Sequence, residues 1–329
     1  MGKKLKRLFS GIQPTGEIHI GNYQGAIKQW VKLIDKYECF YCIVDYHAIT
    51  IEYNVREMPD KILKTAVCLI ACGLNPEKCV LFVQSHVPEH TELAWVLNTV
   101  TAIGDLQRMT QFKEKSQQHK GNVNVGLFTY PVLQAADIIL YKADVVPVGE
   151  DQFQHVELSR RIARKFNALY GKTFPEPQHL STESPRIIGL DGQYKMSKSR
   201  NNYIGILESD EIIWEKISRA VTDPARKTKK DPGNPEICNM YSLHKLYSSR
   251  EEIENSAENC KKASWGCLDC KRILWKNIVE SLKPIKQKAN ELENNIDYVH
   301  NILKENADKS RKIAKETMNE VREKLGILI

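Results

Sequence analysis

Residues 5–22 read LKRLFSGIQPTGEIHIGN. A short β-compatible run, Leu5–Phe9, stops at Ser10-Gly11. Apolar positions at Tyr23, Ile27, Trp30, Val31 and Ile34 then recur at helical spacing. A strand that turns through glycines into a helix is the opening unit of an open parallel sheet, whose ligands bind at the carboxyl-end turns. Ser10–Gly16 and His19-Ile20-Gly21-Asn22 occupy that turn. Glycines let a backbone approach a phosphate, and a helix start favours an anion. His19 and Asn22 add hydrogen-bond donors. Read alone, the stretch is equally a glycine-rich loop with polar surface residues.

The chain continues the alternation. FYCIVD at 40–45, CVLFVQ at 79–84, Asp144–Val148 and Arg186–Leu190 read as further strands. Their apolar runs lack alternation, as in strands covered on both faces. Pro59 is placed to open a helix that ends at Gly73, and Asp151 to Tyr170 is a long amphipathic helix. The interval 85–143 is too long for one crossover. It reads as an insertion with helical stretches at 89–103 and 131–142 and a basic segment, Lys113–Lys120. After residue 205 the pattern is helical, broken by the loop Pro224–Pro235. Residues 307–325 carry Ile313, Met318, Val321 and Leu325 on or near one face. The fold class expected is α/β, a Rossmann-like parallel sheet with an insertion, followed by a smaller all-helical domain. The boundaries are 1–190 for the sheet domain, 191–205 for a loop, and 206–290 for the helical domain. C-terminal helices fill 291–329, the last packing back toward the sheet domain.

The 329 residues are 42% hydrophobic, 27% charged and 8% aromatic, which excludes collagen-like, low-complexity and disordered classes. No apolar run approaches the roughly 18 residues of a membrane span. The start, MGKKLKRLFSGIQP, lacks the apolar core of a secretory signal. A cytoplasmic protein with no membrane partner is expected. Lys and Arg number 48 against 41 Asp and Glu, a net +7 that permits a polyanionic partner.

Nine cysteines, an odd count without an export signal, point to a reducing compartment. Cys39, Cys42, Cys68, Cys72 and Cys79 fall in apolar runs and read as packing. Cys238, Cys260, Cys267 and Cys270 have the spacing C-x21-C-x6-C-x2-C. Four thiolates suit Zn2+ or a 4Fe-4S cluster. A zinc ribbon carries two C-x2-C knuckles, and the single one here favours iron–sulfur. Lys261, Lys262, Lys271 and Arg272 surround the site and would offset the negative charge of a bound cluster, or could face a polyanion; the other reading is four inert core cysteines.

Lys195-Met196-Ser197-Lys198-Ser199 lies in a loop flanked by Gly192 and Asn201-Asn202. Two lysines and two hydroxyls suit a triphosphate, because they can follow charge onto departing pyrophosphate. They equally suit a solvated basic loop.

HIGN and KMSKS in this order resemble the class I aminoacyl-tRNA synthetases. At finer grain FSGIQPTG, HIGNY, FYCIVDYHAIT, QRMTQFKEK, TYPVLQAADIILY, VPVGEDQ and DPGNPE are similar to bacterial-type tryptophanyl-tRNA synthetases over nearly the whole chain. The resemblance implies an ATP- and Mg2+-dependent ligase. It would activate L-tryptophan to the adenylate and transfer it to tRNA(Trp), releasing AMP and pyrophosphate. It implies catalytic roles for His19, Asn22, Lys195 and Lys198. It implies ATP contacts from Gln13, Pro14, Thr15, Gly21, Asn22, Lys115, Gly149, Glu150, Asp151, Ile187 and the run Lys195, Met196, Ser197, Lys198 and Ser199. Asp151 could also simply cap the helix that follows.

For the amino acid, the resemblance implies Phe9, His47, Tyr130, Gln134, Asp137, Val146, Val148 and Gln152. Asp137 sits in the otherwise apolar stretch Pro131–Tyr141, where a buried carboxylate is costly without a partner. The indole N–H is a lone donor that wants one acceptor. Gln134 and Tyr46 depart from the common pattern beside the indole. The cysteine spacing resembles a subset of these synthetases with a 4Fe-4S cluster, apart from a first gap shorter by one. The resemblance also implies a homodimer with its interface in 85–180, and anticodon reading by 206–290. It implies RNA phosphate contacts from Lys113–Lys120 and Arg226–Lys230, which otherwise read as solvated charged faces, and Trp265 reads equally as a base-stacking platform or as a buried residue. A tyrosyl-tRNA synthetase shares fold and motifs, though the tyrosine hydroxyl would need an added polar partner. A noncatalytic RNA-binding paralogue would not need both phosphate-type loops.

Overall fold

The computed structural model describes residues 5–118, 121, 123–181 and 187–327. In chain order these form β1 (Arg7–Ile12), α1 (Ile20–Asn22), a π-helical turn Tyr23–Ile27, α2 (Lys28–Leu33), β2 (Glu38–Ile43) and α3 (Asp45–Ala48). There follow α4 (Met58–Ala71), β3 (Val80–Val83), α5 (Glu89–Val100), α6 (Ile103–Gln107), α7 (Thr110–Gln118), α8 (Val125–Leu140) and β4 (Val145–Val148). The chain continues with α9 (Phe153–Tyr170), β5 (Gln178–Ser181), α10 (Asp210–Arg219), α11 (Asn239–Tyr247), α12 (Arg250–Lys261), α13 (Cys267–Glu293) and α14 (Ile296–Leu325).

Contacts divide the chain into two compact units. One comprises Met1–Thr15, Lys28–Glu183 and Asn295–Ile329, the other Gly16–Ile27 and Ser184–Asn294. The first holds the sheet, with order β3-β2-β1-β4-β5. All its pairings are parallel, so the α/β expectation is met. The unbroken apolar runs are explained by burial. Phe40, Tyr41, Ile43, Leu81 and Phe82 are fully enclosed, as helices cover both sheet faces. Strand order reverses between β1 and β4, the position where open sheets bind ligands. α14 packs on β3, α4, α5 and α8 in this unit, burying Ala307, Ala314, Met318 and Val321. Arg322 clamps Glu92 of α5 with two bonds of 2.8 and 2.6 Å.

Arg186 lies outside the described residues, and the strand expected at Arg186–Leu190 is not formed over 187–190. The fifth strand is Gln178–Ser181, and Ile188 makes only an isolated antiparallel bridge to Lys195. The reason is that β5 is an edge. Gln178, His179 and Ser181 are exposed, so it carries no apolar run to betray it. α8 also starts earlier than Pro131. Asn124 accepts a bond from the Leu127 amide at 2.9 Å, and Pro131 lies inside the helix.

In the second unit, Ser209 caps α10 and a reciprocal Ser249–Glu252 box caps α12. Leu274, Ile278, Leu282, Ile285, Ala289 and Leu292 form the buried stripe of α13, which packs on α10 and α11. No helix among the described residues is long and apolar enough to cross a membrane.

Candidate active site

The expected site residues divide between the units. In the sheet unit a cavity of about 330 Å³ opens at the carboxyl ends of β1 and β4, ordinary for a small-molecule pocket. Phe9, His47, Tyr130, Gln134, Asp137, Val146, Val148 and Gln152 all line it, with Gln13. Ser10 and Gly11 of the glycine turn line it as well, and Val44, Gln111 and Ile138, which the sequence reading gave no role, complete the wall.

Asp137 is the polar focus. It projects from α8, is 1% exposed, and accepts from three side chains. His47 Nε2 lies 2.7 Å from its Oδ2. Gln84 Nε2 donates to Oδ1 at 2.6 Å, and His90 Nδ1 lies 2.6 Å from the same oxygen. Burial pushes the carboxyl up, but the charges and hydrogen bonds of His47 and His90 outweigh it and hold the group well below the usual carboxylate range. An ionised carboxylate is acceptor-only, so both imidazoles donate to it. His90 Nε2 stands 2.7 Å from the Tyr141 hydroxyl. The Tyr141 ring stacks on Phe9 and Phe40 at centroid distances of 5.7 and 5.0 Å, tying the polar run to the aromatic core.

Gln84 and His90 escaped the sequence reading. Their signal was weak: His90, Leu93, Ala94 and Leu97 share one helical face, which marks His90 as buried and says nothing of its partner. Tyr130 reaches His155 Nε2 at 3.1 Å and Gln111 Oε1 at 3.5 Å. Pro14 is buried, whereas Thr15, Gly149, Glu150 and Asp151 are exposed. Asp151 does not cap α9. Gln152 holds that position without a side-chain bond and instead donates to Asp151 Oδ2 at 3.3 Å. The Lys115 side chain lies outside the described residues.

The second unit brings HIGN and KMSKS together. The Ile20 amide donates to Ile204 O at 3.0 Å, and the Ile206 amide to Ile18 O at 2.9 Å. This ladder fixes the HIGN segment against the strand-like exit of the KMSKS loop. His19 and Asn22 form a reciprocal cap on α1, with both bonds at 3.2 Å. Since His19 Nδ1 accepts from the Asn22 amide, Nε2 is the protonated nitrogen. Burial, then Lys198 and Lys195, pulls the His19 imidazole down to about 4, so it is a neutral donor at neutral pH.

Gly21 lets the His19 ring sit close, because a Cβ there would stand 2.9 Å from His19 Nδ1 and one of them would have to shift. In the KMSKS loop Met196 is buried and its amide donates to Ile187 O at 2.9 Å. Lys195 and Ser199 are exposed, and the Ser197 and Ser199 hydroxyls lie 3.4 Å apart. Asn202 clasps the loop, accepting from the Ser197 amide at 2.8 Å and donating to Asp191 at 2.7 Å.

The four C-terminal cysteines lie at helix ends: Cys238 before α11, Cys260 near the end of α12, Cys267 and Cys270 in the first turn of α13. They gather in one region. Burial and then Cys238, Cys260 and Cys267 push the Cys270 thiol up to about 12. Four sulfur donors match the chemistry of a thiolate centre. A Cβ at Gly233 would stand 2.6 Å from Cys260 Sγ, so the backbone closes against the cluster. The side chains do not, however, converge on one point. Among the described residues no three His, Cys, Asp or Glu side chains stand in a metal-holding arrangement. Local bonds hold the sulfurs instead: Arg226 Nη1 lies 3.7 Å from Cys260 Sγ, and His244 Nε2 lies 3.3 Å from Cys270 Sγ.

Two basic residues expected to face RNA do other work. Lys271 is buried and donates to Ser218 O and Ala220 O at 2.8 and 2.6 Å, closing the end of α10. Arg226 is buried and also bonds the Lys229 and Trp265 carbonyls. Arg272 covers the Trp214 ring at 5.4 Å.

Residues 3–283 match the family described as tRNA synthetases class I (W and Y). The tryptophan–tRNA ligase of Deinococcus radiodurans is 50% identical, with 98% of this chain and 99% of the relative covered. That of Thermotoga maritima is 43% identical, with 98% and 99% covered. The crystal structure of tryptophanyl-tRNA synthetase from Campylobacter jejuni, complexed with ADP and tryptophan, superposes with a TM-score of 0.89 at 38% identity. It covers 98% of this chain and 100% of the other. The chain therefore belongs to the class I tRNA synthetases of the tryptophan and tyrosine group, on the tryptophanyl branch.

Proposed function

We propose that this protein activates L-tryptophan with ATP and Mg2+ and transfers it to the 3′ end of tRNA(Trp). The observation that carries the reading is the buried, ionised Asp137 in a cavity otherwise walled by Phe9, His47, Tyr130, Val146 and Val148. It offers one flat apolar slot and an acceptor for a lone N–H donor. Phe9, Val146 and Val148 flank the ring, Asp137 takes the indole N–H, Gln134 borders it, and Tyr130 and Gln152 take the amino group.

The substrate carboxylate attacks the α-phosphorus and pyrophosphate leaves. The terminal ribose hydroxyl of the tRNA then attacks the adenylate carbonyl and AMP leaves. The carboxylate is already an anion at neutral pH, so the first step needs no protein base. Catalysis is positioning and charge stabilisation. Neutral His19 donates through Nε2 and Asn22 through its amide nitrogen. Lys195 and Lys198 follow charge onto pyrophosphate. Gln13, Pro14, Thr15, Gly21, Gly149, Glu150, Asp151 and Ile187 hold the nucleoside, with Lys115, Met196, Ser197 and Ser199 along the phosphates.

Cys238, Cys260, Cys267 and Cys270 would hold a 4Fe-4S cluster, with Zn2+ as the competing occupant, and tie α11, α12 and α13 together. Support comes from the spacing, the gathering of the four sulfurs and the flanking cations. Residues 1–190 form the catalytic domain, with its insertion at about 85–143, and 191–205 its mobile signature loop. Residues 206–290 read the anticodon, and 291–329 are the C-terminal helices. The protein acts in the cytoplasm as a homodimer through 85–180. Amino-acid-dependent ATP–pyrophosphate exchange tests the reading. Exchange with tryptophan alone is expected, and exchange with tyrosine, or with no amino acid, overturns it.

A further inference from the structure

Asp137 has more donors than a single substrate contact needs. Gln84 Nε2 and His90 Nδ1 both sit 2.6 Å from Oδ1, whereas among the described residues Oδ2 is approached by His47 alone, at 2.7 Å. A carboxylate oxygen accepts two bonds. Oδ1 is therefore filled and Oδ2 keeps one open acceptor position. His47 and Asp137 line the cavity and Gln84 and His90 do not, so the open position belongs to the oxygen on the cavity side. Neither Gln84 nor His90 has freedom to leave. Gln84 is fully buried and its Oε1 accepts the Tyr46 amide at 3.1 Å. His90 is fully buried and its far nitrogen is held by the Tyr141 hydroxyl at 2.7 Å.

We propose that His90 and Gln84 determine amino-acid specificity by saturating Oδ1, so that Asp137 offers the pocket one acceptor and no donor. The inference rests on the tryptophan reading of the cavity and deepens it. An indole N–H is a donor and nothing else, and matches that vacancy. A phenol hydroxyl can donate to the vacancy too, but its own oxygen carries lone pairs. The donors around Asp137, the His47 and His90 imidazoles and the Gln84 amide, are spent on the carboxylate and cannot serve that oxygen. Tyrosine would thus bury an unpaired hydroxyl oxygen, the kind of mismatch that separates substrates most strongly. His90 and Gln84 are positioning residues: they touch Asp137 and not the substrate.

The test compares wild type, His90→Leu, His90→Asn and Gln84→Met in ATP–pyrophosphate exchange with tryptophan and with tyrosine. Removing a donor frees a position on Oδ1 and lets the carboxyl turn or take a proton, which turns the acceptor into a donor. For His90→Leu, tryptophan KM should rise about ten- to hundredfold with kcat nearly unchanged, and the preference over tyrosine should narrow. His90→Asn returns a donor near the position of Nδ1 and should recover most of both. Gln84→Met leaves the imidazole in place and should shift both in the same direction as His90→Leu. It decides the matter if His90→Leu does not fold. Unchanged tryptophan KM and unchanged selectivity in the folded variants overturn the proposal. A fall in kcat with no change in KM does so as well. A wild-type protein that exchanges with no amino acid strikes the tryptophan reading itself, before any variant is considered.

Discussion

The Lys198 ammonium donates to the Gly16 carbonyl at 2.8 Å, three residues before His19. One lysine of the KMSKS loop is thus fastened to the backbone that leads into HIGN. After burial, the same lysine, joined by Lys195, is what drives His19 toward neutrality. Gly16 has φ +123°, a conformation that L side chains rarely adopt, so the carbonyl is presented by a turn only glycine makes cheaply. A carbonyl holds an ammonium by a partial charge. A phosphate oxygen holds it by a full one and will take it over.

Lys198→Ala should therefore lower the rate of adenylate formation by about two to three orders of magnitude, the usual worth of one group aimed at developing charge. Tryptophan affinity should hardly change, because Asp137 and the cavity belong to the other unit. Pyrophosphate exchange at varied tryptophan measures both. Equal loss in kcat and in tryptophan binding would contradict this division of labour.

Gly21→Ala probes the other loop. The added Cβ would meet His19 Nδ1 at 2.9 Å and Met196 Cβ at 3.3 Å. The ring is the softer neighbour, so His19 moves and its acceptor bond from the Asn22 amide is lost. Loss of a cap costs about 1 kcal/mol. The exchange rate should fall with little change in tryptophan KM, and the melting temperature should drop slightly. A fully active Gly21→Ala enzyme would mean that the placement of His19 is unimportant.

Much of this was readable before any coordinates. HIGN and KMSKS stand out in the sequence as short polar motifs beside glycines, the first of them opening α1, and the residues read for the indole slot all line one cavity. Such features leave a local mark: glycines where backbones crowd, and a lone Asp in an apolar helix. What stayed hidden were long-range pairings. His90 meets Asp137 across 47 residues and Gln84 across 53, and no spacing rule connects them. The edge strand Gln178–Ser181 carries no hydrophobic pattern because an edge need not be buried. Lys271 reads as surface charge until the carbonyls at the end of α10 are seen to claim it.

His19 also sets a pH dependence. Its folded value of about 4 lies below its ordinary 6.5. Between those values the unfolded chain binds a proton that the folded one refuses. Stability therefore falls as pH drops through this window, and the group has no effect above it. His19→Asn keeps an acceptor for the Asn22 amide but does not titrate. Urea midpoints measured above and within the window should fall less on acidification for His19→Asn than for wild type. Parallel losses would show that His19 is not buried as a neutral ring.

The cysteine centre is testable by colour. Protein purified without oxygen should be brown, with broad visible absorption, and should contain iron and acid-labile sulfide. Cys267→Ser should abolish the colour. A colourless anaerobic preparation with stoichiometric zinc would instead assign the four sulfurs to Zn2+.

Lys261 and Lys262 remain exposed beside the four cysteines, Lys262 paired with Glu258 one turn back. With Lys271 and Arg226 taken up inside the unit, these two carry the local case for RNA contact. Each phosphate neutralised by a lysine releases counterions and adds to the salt dependence of binding. Lys261→Glu with Lys262→Glu should weaken affinity for tRNA(Trp) and flatten the slope of log K against log salt by roughly one to two units. Exchange without tRNA should be untouched, since both changes lie far along the chain from HIGN and KMSKS. Lys271→Glu is the informative contrast. It places a carboxylate against the Ser218 and Ala220 carbonyls and should lower the melting temperature whether or not RNA is present. Should the double reversal leave affinity and salt slope as they were, the RNA path does not cross the cysteine centre.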